Sequence, residues 1–348
     1  MTYAVGSIIL AADLDSFIGS VPVTAAYSND TTAIDRVAAL IGVGYGTRGY
    51  GQVNTVLPPV SIGEIITAVQ WNNLRAAMDK INVHTGSALV LQPTVSIGEI
   101  IDAYDGSSGR SNLPSLIHSL DSNRLNASVT QMIISSAITQ QRTASWSGSV
   151  THEFTADFGS EDQARYFFNT GGQLRLSAAR AGGSGSAANT YWSYILSQMG
   201  VIKFAYNSTT YTGTGGTPRA IGYYSLTDSY QELFRHGYAG SGGYGGYSYY
   251  SYSYGPTSAN TYYKVEARRL RYAGIHGGNG AAVSFRVTFV DGSSSGYGYG
   301  YGYGYGYGYN GYGGNTVISG TLTSQIDQYK AGGALTILSP AITTTSSL

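Results

Sequence analysis

The chain contains no cysteine. Disulfides, thiolate metal sites and cysteine nucleophiles are therefore excluded, and any resistance to a harsh exterior has to come from packing. Charge is scarce as well: charged residues make up 11% of the 348, where a typical soluble protein has about a quarter. Nineteen acidic and nineteen basic side chains cancel, so no overall field draws in DNA, RNA or an anionic membrane. No apolar run approaches the roughly 18 residues needed to span a bilayer. The run Ile8 to Ala12 stops at Asp13, and the first basic residue is Arg36. Neither half of a secretory signal is present there, and the expectation is synthesis and assembly in the cytoplasm.

What is abundant is glycine, 49 residues and about twice the usual share of ~7%, together with 32 tyrosines against 9 Phe and 3 Trp. The clearest organisational signal is a repeat. Val60-Ser61-Ile62-Gly63-Glu64-Ile65-Ile66 returns identically as Val95 to Ile101, and Gly6 to Ala11 gives a degenerate third copy, G-x-I-I-x-A. Each copy suggests a short strand feeding a turn and a helix. Thr67 and Gln70 have the spacing of a capping box, after which Trp71, Leu74, Met78 and Ile81 form one apolar helical stripe. Ile34, Val37 and Ile41 repeat this logic behind Thr31 or Thr32, and Leu116, Ile117 and Leu120 do so behind Leu113-Pro114. Residues 1–135 are thus expected to be three small strand-helix modules that dock the chain. Ile65, Ile66, Trp71, Leu74, Ile100 and Ile101 are the candidate docking residues.

From residue 142 to 348 the pattern is that of a β-rich domain. Trp146, Val150, His152, Phe154 and Ala156 predict one strand, and Ser160 with Gln163 caps a short helix holding Tyr166, Phe167 and Phe168. Leu174 to Leu176, a helix over 189–199, and strands at 201–206, 262–270, 282–290, 315–322 and 334–338 follow. Val283, Phe285, Val287 and Phe289 make the cleanest alternation in the chain. The expected class is α+β, mainly β: small N-terminal strand-helix modules, then a β-rich domain with two or three short helices and long Gly/Tyr-rich loops.

Searching for chemistry gives little. Gly44-Tyr45-Gly46-Thr47-Arg48-Gly49 fits G-x-G-x-x-G, but it follows a helical run and opens no helix, so helix termination explains it better than a dinucleotide site. His84, His118, His152, His236 and His276 show no metal-binding spacing. The carboxylates Glu153, Asp157, Glu161, Asp162 and Asp291 show no pairing of the kind glycoside cleavage requires, and Glu161 and Asp162 suit the first turn of a helix. No G-x-S-x-G elbow occurs. No catalytic, cofactor-binding or metal residues are assigned, and no cofactor is expected.

Two segments, 237–255 and 296–313, consist almost wholly of Gly, Tyr and Ser. They lack aliphatic side chains to bury, and both fall between expected strands, so both are expected to be loops at one end of the domain. Their tyrosines are the candidate contact residues: Tyr244, Tyr247, Tyr249, Tyr250, Tyr252 and Tyr254 in the first, and Tyr297, Tyr299, Tyr301, Tyr303, Tyr305, Tyr307 and Tyr309 in the second. Tyr with Gly and Ser is the composition of antibody binding loops, in which rigid amphipathic rings sit on adaptable backbone. Two other readings stay open. In an extended strand all seven later tyrosines share one face and suit subunit contacts, and a low-complexity insert needs no target at all.

The run Gly63 to Leu74, the stretch Phe154 to Gly172 with its ARYFFN-x-GG element at Ala164 to Gly172, and Ser319 to Ser324 resemble virion structural proteins of tailed bacteriophages. The resemblance is to the tail fibre-like class of contractile-tailed phages, including cyanophages. It implies a non-enzymatic component of the particle exterior, assembled in the host cytoplasm, with other virion proteins as partners and a homo-oligomer, trimer or hexamer, as its state. A host surface glycan or protein is the expected target, with neither nucleic acid nor membrane insertion involved. The alternative is a purely architectural collar, baseplate or decoration component whose loops mediate subunit contacts.

Overall fold

The computed structural model describes residues 37–52, 57, 60, 64–99, 113–237, 261–292 and 317–347. Three helices come first: α1 (Val37–Ile41), α2 (Ala68–Thr85) and α3 (Leu113–Asn123). Thr67 and Gln70 form the expected capping box at the start of α2, and Gly86 ends the helix in the left-handed conformation. The stripe Trp71, Leu74, Met78 and Ile81 is buried, as are Val37, Leu40 and Ile41 of α1 and Leu113, Ile117 and Leu120 of α3.

The described residues of the repeats do not form strands. Val60, residues 64–67 and residues 95–99 are irregular, with a turn at Ile97-Gly98. The reason lies in local side chains that take the place of a ladder. The Asn72 amide donates to the Val95 carbonyl and its oxygen accepts from the Val95 N–H, while Glu99 accepts from the Ser96 N–H. The 89–95 segment therefore lies along α2 with no strand partner among the described residues.

The remainder is built on two antiparallel sheets. The strands are β1 (Met132–Ile134), β2 (Ile138–Arg142), β3 (Gly148–Asp157), β4 (Gln173–Ala181), β5 (Ile202–Phe204), β6 (Thr209–Tyr211), β7 (Thr217–Pro218), β8 (Gln231–Gly237), β9 (Tyr262–Leu270), β10 (Ala282–Asp291), β11 (Thr321–Ala331) and β12 (Ala341–Ser347). Helices α4 (Glu161–Asn169) and α5 (Ala187–Met199) interrupt them. The first sheet runs β1-β11-β4-β5-β6, with β2 also on β11; the second runs β12-β3-β10-β9-β8-β7. The fold is α+β and mainly β.

Alternation places Val150, His152, Phe154 and Ala156 of β3 and Val283, Phe285, Val287 and Phe289 of β10 in the core. These meet the inner face of the first sheet: Phe204 lies edge-on to Phe285 with ring centroids 5.3 Å apart, and His152 Nδ1 is 2.8 Å from Ser324 Oγ. Helix α4 adds Phe167 and Phe168, the latter stacked on Tyr223 at 4.6 Å. The N-terminal helices share this core, since the apolar side chains of α1, α2 and α3 belong to the same buried cluster as those of the sheets. Two of the later expectations shift. The strand expected at 315–322 is β11, beginning at Thr321, and 334–338 contributes only the bridge between Gly332 and Thr336, with β12 following it. The first sheet also begins earlier than expected, at Met132.

Candidate functional site

Register brings the strand ends that flank both tyrosine-rich segments to one place. Gly237, the last residue of β8, pairs with Tyr262, and Tyr262 pairs with Val290 at the end of β10. Asp291 pairs with Gly148 at the start of β3. The Gly292 N–H donates to Thr261 Oγ1 at 3.1 Å, tying the exit of one segment to the re-entry of the other. Ile318 pairs with Trp146, two residues ahead of β3, through backbone bonds of 2.9 and 2.8 Å. The four points at which the chain leaves and rejoins the fold around 238–260 and 293–316 are thus neighbours at one end of the second sheet. The thirteen candidate contact tyrosines themselves lie outside the described residues, as do Ile100 and Ile101.

This end is stiff. Trp146 packs edge-on to Trp192 at 5.3 Å, and Trp192, Tyr263 and His152 surround Phe289 with centroids 5.9, 5.2 and 5.8 Å away. Such aromatic pairs each add about 0.5–1.5 kcal/mol beyond area burial. On the solvent side Arg235 lies over the Tyr262 ring at 4.0 Å, and Glu232 bridges Arg235 and Arg219.

The remaining candidate docking residues divide. Ile65 is 87% exposed and Ile66 half-buried against the core. Trp71 and Leu74, at 2% and 1%, belong to the chain's own interior and offer a partner nothing. Their helical periodicity marks a buried stripe without saying what covers it, and here the cover is internal.

The polar candidates have specific partners. Asp157 accepts from the Gly159 N–H and from Arg271; burial alone would raise its pKa, but these bonds outweigh that effect and hold it below the usual carboxylate range. Glu161, 4% exposed, accepts backbone N–H bonds from Ala273, Gly274 and Ile275 and thereby fixes the β9–β10 connection. Asp162 pairs with Arg165 at 2.9 Å and with His276 Nδ1 at 2.8 Å. Among the described residues Glu153 takes only long contacts, from Tyr230 at 3.4 Å and Thr345 at 3.5 Å.

The glycine loop after α1 is likewise accounted for. Its carbonyls point at Arg165, whose guanidinium donates to Val43 at 2.7 Å, Arg48 at 2.8 Å and Gly46 at 3.1 Å. Asn169 and Tyr224 donate to the same loop. A Cβ on Gly49 would stand 1.9 Å from the Val43 carbonyl oxygen, so only glycine fits the turn. A loop that presents carbonyl oxygens to a guanidinium is the reverse of a phosphate cradle, whose N–H groups face the ligand.

Sequence reasoning missed two polar constellations. One is this Arg165 hub. The other lies on the outer face of the second sheet, where Tyr230 sits between Arg268 and Arg286 at 4.7 and 4.1 Å and its hydroxyl is 2.9 Å from Ser284 Oγ. Glu266 pairs there with Arg286 and Lys264; burial pushes its pKa up, but these partners prevail and hold it low. Both depend on cross-strand register or on contacts over a hundred residues apart, for which the sequence carries no local signal. Among the described residues there is no cluster of three or more His, Asp or Glu able to hold a metal, and no helix long and apolar enough to cross a membrane. Comparison with protein-family profiles, curated proteins and solved structures returns no match to this chain.

Proposed function

We propose that this chain is a non-enzymatic structural protein of a tailed-phage virion, a tail-associated fibre or adhesin that holds Tyr/Gly-rich segments toward the host surface. The observation that carries the reading is the common root: Gly237, Thr261, Gly292 and Ile318 adjoin at one aromatic-packed end of the second sheet, so two segments of binding-loop composition issue from a single platform. The Phe154 to Gly172 resemblance, carried in the fold by the end of β3, α4 and the turn that follows it, gives the particle context. In this role the chain sits on the exterior of the particle, contacts other virion proteins and self-associates as a trimer or hexamer, so that weak ring contacts to a glycan or protein multiply through avidity.

Replacing Tyr297, Tyr299, Tyr301, Tyr303, Tyr305, Tyr307 and Tyr309 by serine tests this. The expected result is normal particle assembly with adsorption to host cells lowered about tenfold or more, since avidity compounds each lost contact. Failed assembly would instead support a purely architectural collar, baseplate or decoration component, and normal assembly with unchanged adsorption would overturn the adhesin reading.

A further inference from the structure

The edges of the two sheets are treated unequally. Strand β7 is two residues long and ends in Pro218, and β6 is three residues long and tied toward β7 by the Thr209 N–H to Arg219 carbonyl bond. The β1/β2 edge is broken at 135–137, where the chain leaves the ladder, and carries Arg142. Short length, proline, interruption and charge are the usual devices that keep a sheet edge from pairing with another chain. Strand β12 has none of them. It is seven residues long, Ala-Ile-Thr-Thr-Thr-Ser-Ser, without charge or proline, and Ala341, Thr343, Thr344 and Thr345 are exposed. Among the described residues its only strand partner is β3, and none of them forms a ladder with its outward backbone groups.

We infer that β12 is a self-association edge, and that its occupant is β12 of a second copy of this chain, running antiparallel across a two-fold axis at Thr344. Three features favour a second copy. The pairing is self-complementary, with Thr343 of each copy opposite Thr345 of the other and Thr344 opposite itself. Thr–Thr pairs across antiparallel strands are favourable, and no like charges meet. The contact joins the two six-stranded sheets into one continuous sheet and satisfies two backbone edges at once. The inference adds a two-fold contact to the oligomer proposed above and holds whether or not the chain belongs to a virion.

Sedimentation of the intact chain decides first: reversible pairing is expected, as a dimer of single chains or as a hexamer built from two trimers, and a monomer or unpaired trimer up to about 100 μM overturns the inference. Thr344→Lys and Thr344→Asp, at an exposed position, are expected to keep the wild-type circular dichroism and melting temperature. Each is expected to raise the dimer dissociation constant about tenfold or more, because like charges then face each other at the axis. An equimolar mixture of the two variants is expected to regain association as a heterodimer. Dimerisation of either variant at wild-type affinity, or failure of the mixture to associate better than each variant alone, overturns the assignment to β12.

Discussion

Arg165→Ala is expected to destabilise the protein by about 3–5 kcal/mol, the range for stripping one partner from a buried ionic network. The Arg165 side chain is wholly buried, and its guanidinium joins Asp162 to the carbonyls of Val43, Gly46 and Arg48. Alanine leaves the Val43 carbonyl facing a void, at about 1–3 kcal/mol for a group that water fails to reach, while the Gly46 and Arg48 carbonyls keep Asn169 and Tyr224 as donors. It also removes the pin between the loop after α1 and helix α4. Arg165→Lys is expected to recover less than half of the loss, because a single ammonium does not span acceptors arranged around a planar fork. Urea unfolding of the two variants checks this, with hydrogen exchange at residues 43–50 showing where the loss is felt. A cost for alanine under about 1 kcal/mol means the hub contributes no more than an ordinary surface pair.

Acid is expected to destabilise the fold well before its carboxylates titrate. Burial lowers the pKa of His84 to about 4, partly offset by the contact of its Nε2 with the Thr170 carbonyl. Burial also lowers that of His152 to about 4, and the Arg142 charge lowers it further. A histidine whose folded pKa lies below its unfolded value near 6.5 takes up its proton more readily when unfolded. Its contribution is therefore complete above pH 6.5 and is lost as pH falls toward 4, by on the order of 2–3 kcal/mol for each of these two. Asp157 and Glu266, held low by their partners, contribute in the same sense but in a lower window: their share is present above the ordinary carboxylate range near 4 and disappears only below it. Between pH 6.5 and 4.5 the histidines thus govern the slope. Unfolding free energy measured across that window should fall steeply in the wild type and less steeply in His84→Gln and His152→Gln. An unchanged slope in both variants contradicts the assignment.

How much of this was legible in the sequence depended on whether a local rule coincided with a tertiary one. The α2 capping box and the Ser160 cap are local, and both stand as read. Strands β3, β9 and β10 were legible because one face is apolar and the other is not. Strand β11 was largely hidden, because its inner face alternates Leu322, Ser324, Ile326 and Gln328, half of them polar. In β8 a bulge between Glu232 and Phe234 buries both Leu233 and Phe234 and breaks the period of two. Strand β12 has a single aliphatic branch, Ile342, among hydroxyl side chains, so hydrophobic pattern says nothing about it. The roots of the tyrosine-rich segments were legible in outline, since both segments fall between strands. That they adjoin is a consequence of sheet order β3-β10-β9-β8, which no spacing in the sequence encodes.

The central claim is that the scaffold folds without the tyrosine-rich segments and that the segments bind. It is tested most directly by a chain lacking 296–313 and with 238–260 cut to a short Gly/Ser turn, compared with the wild type in thermal unfolding and in binding to host cells. The account predicts a melting temperature within a few degrees of wild type, as expected for removing segments of Gly, Tyr and Ser that have almost no aliphatic side chains to bury, and binding reduced to background. Wild-type binding by the shortened chain, or its failure to fold, contradicts the account.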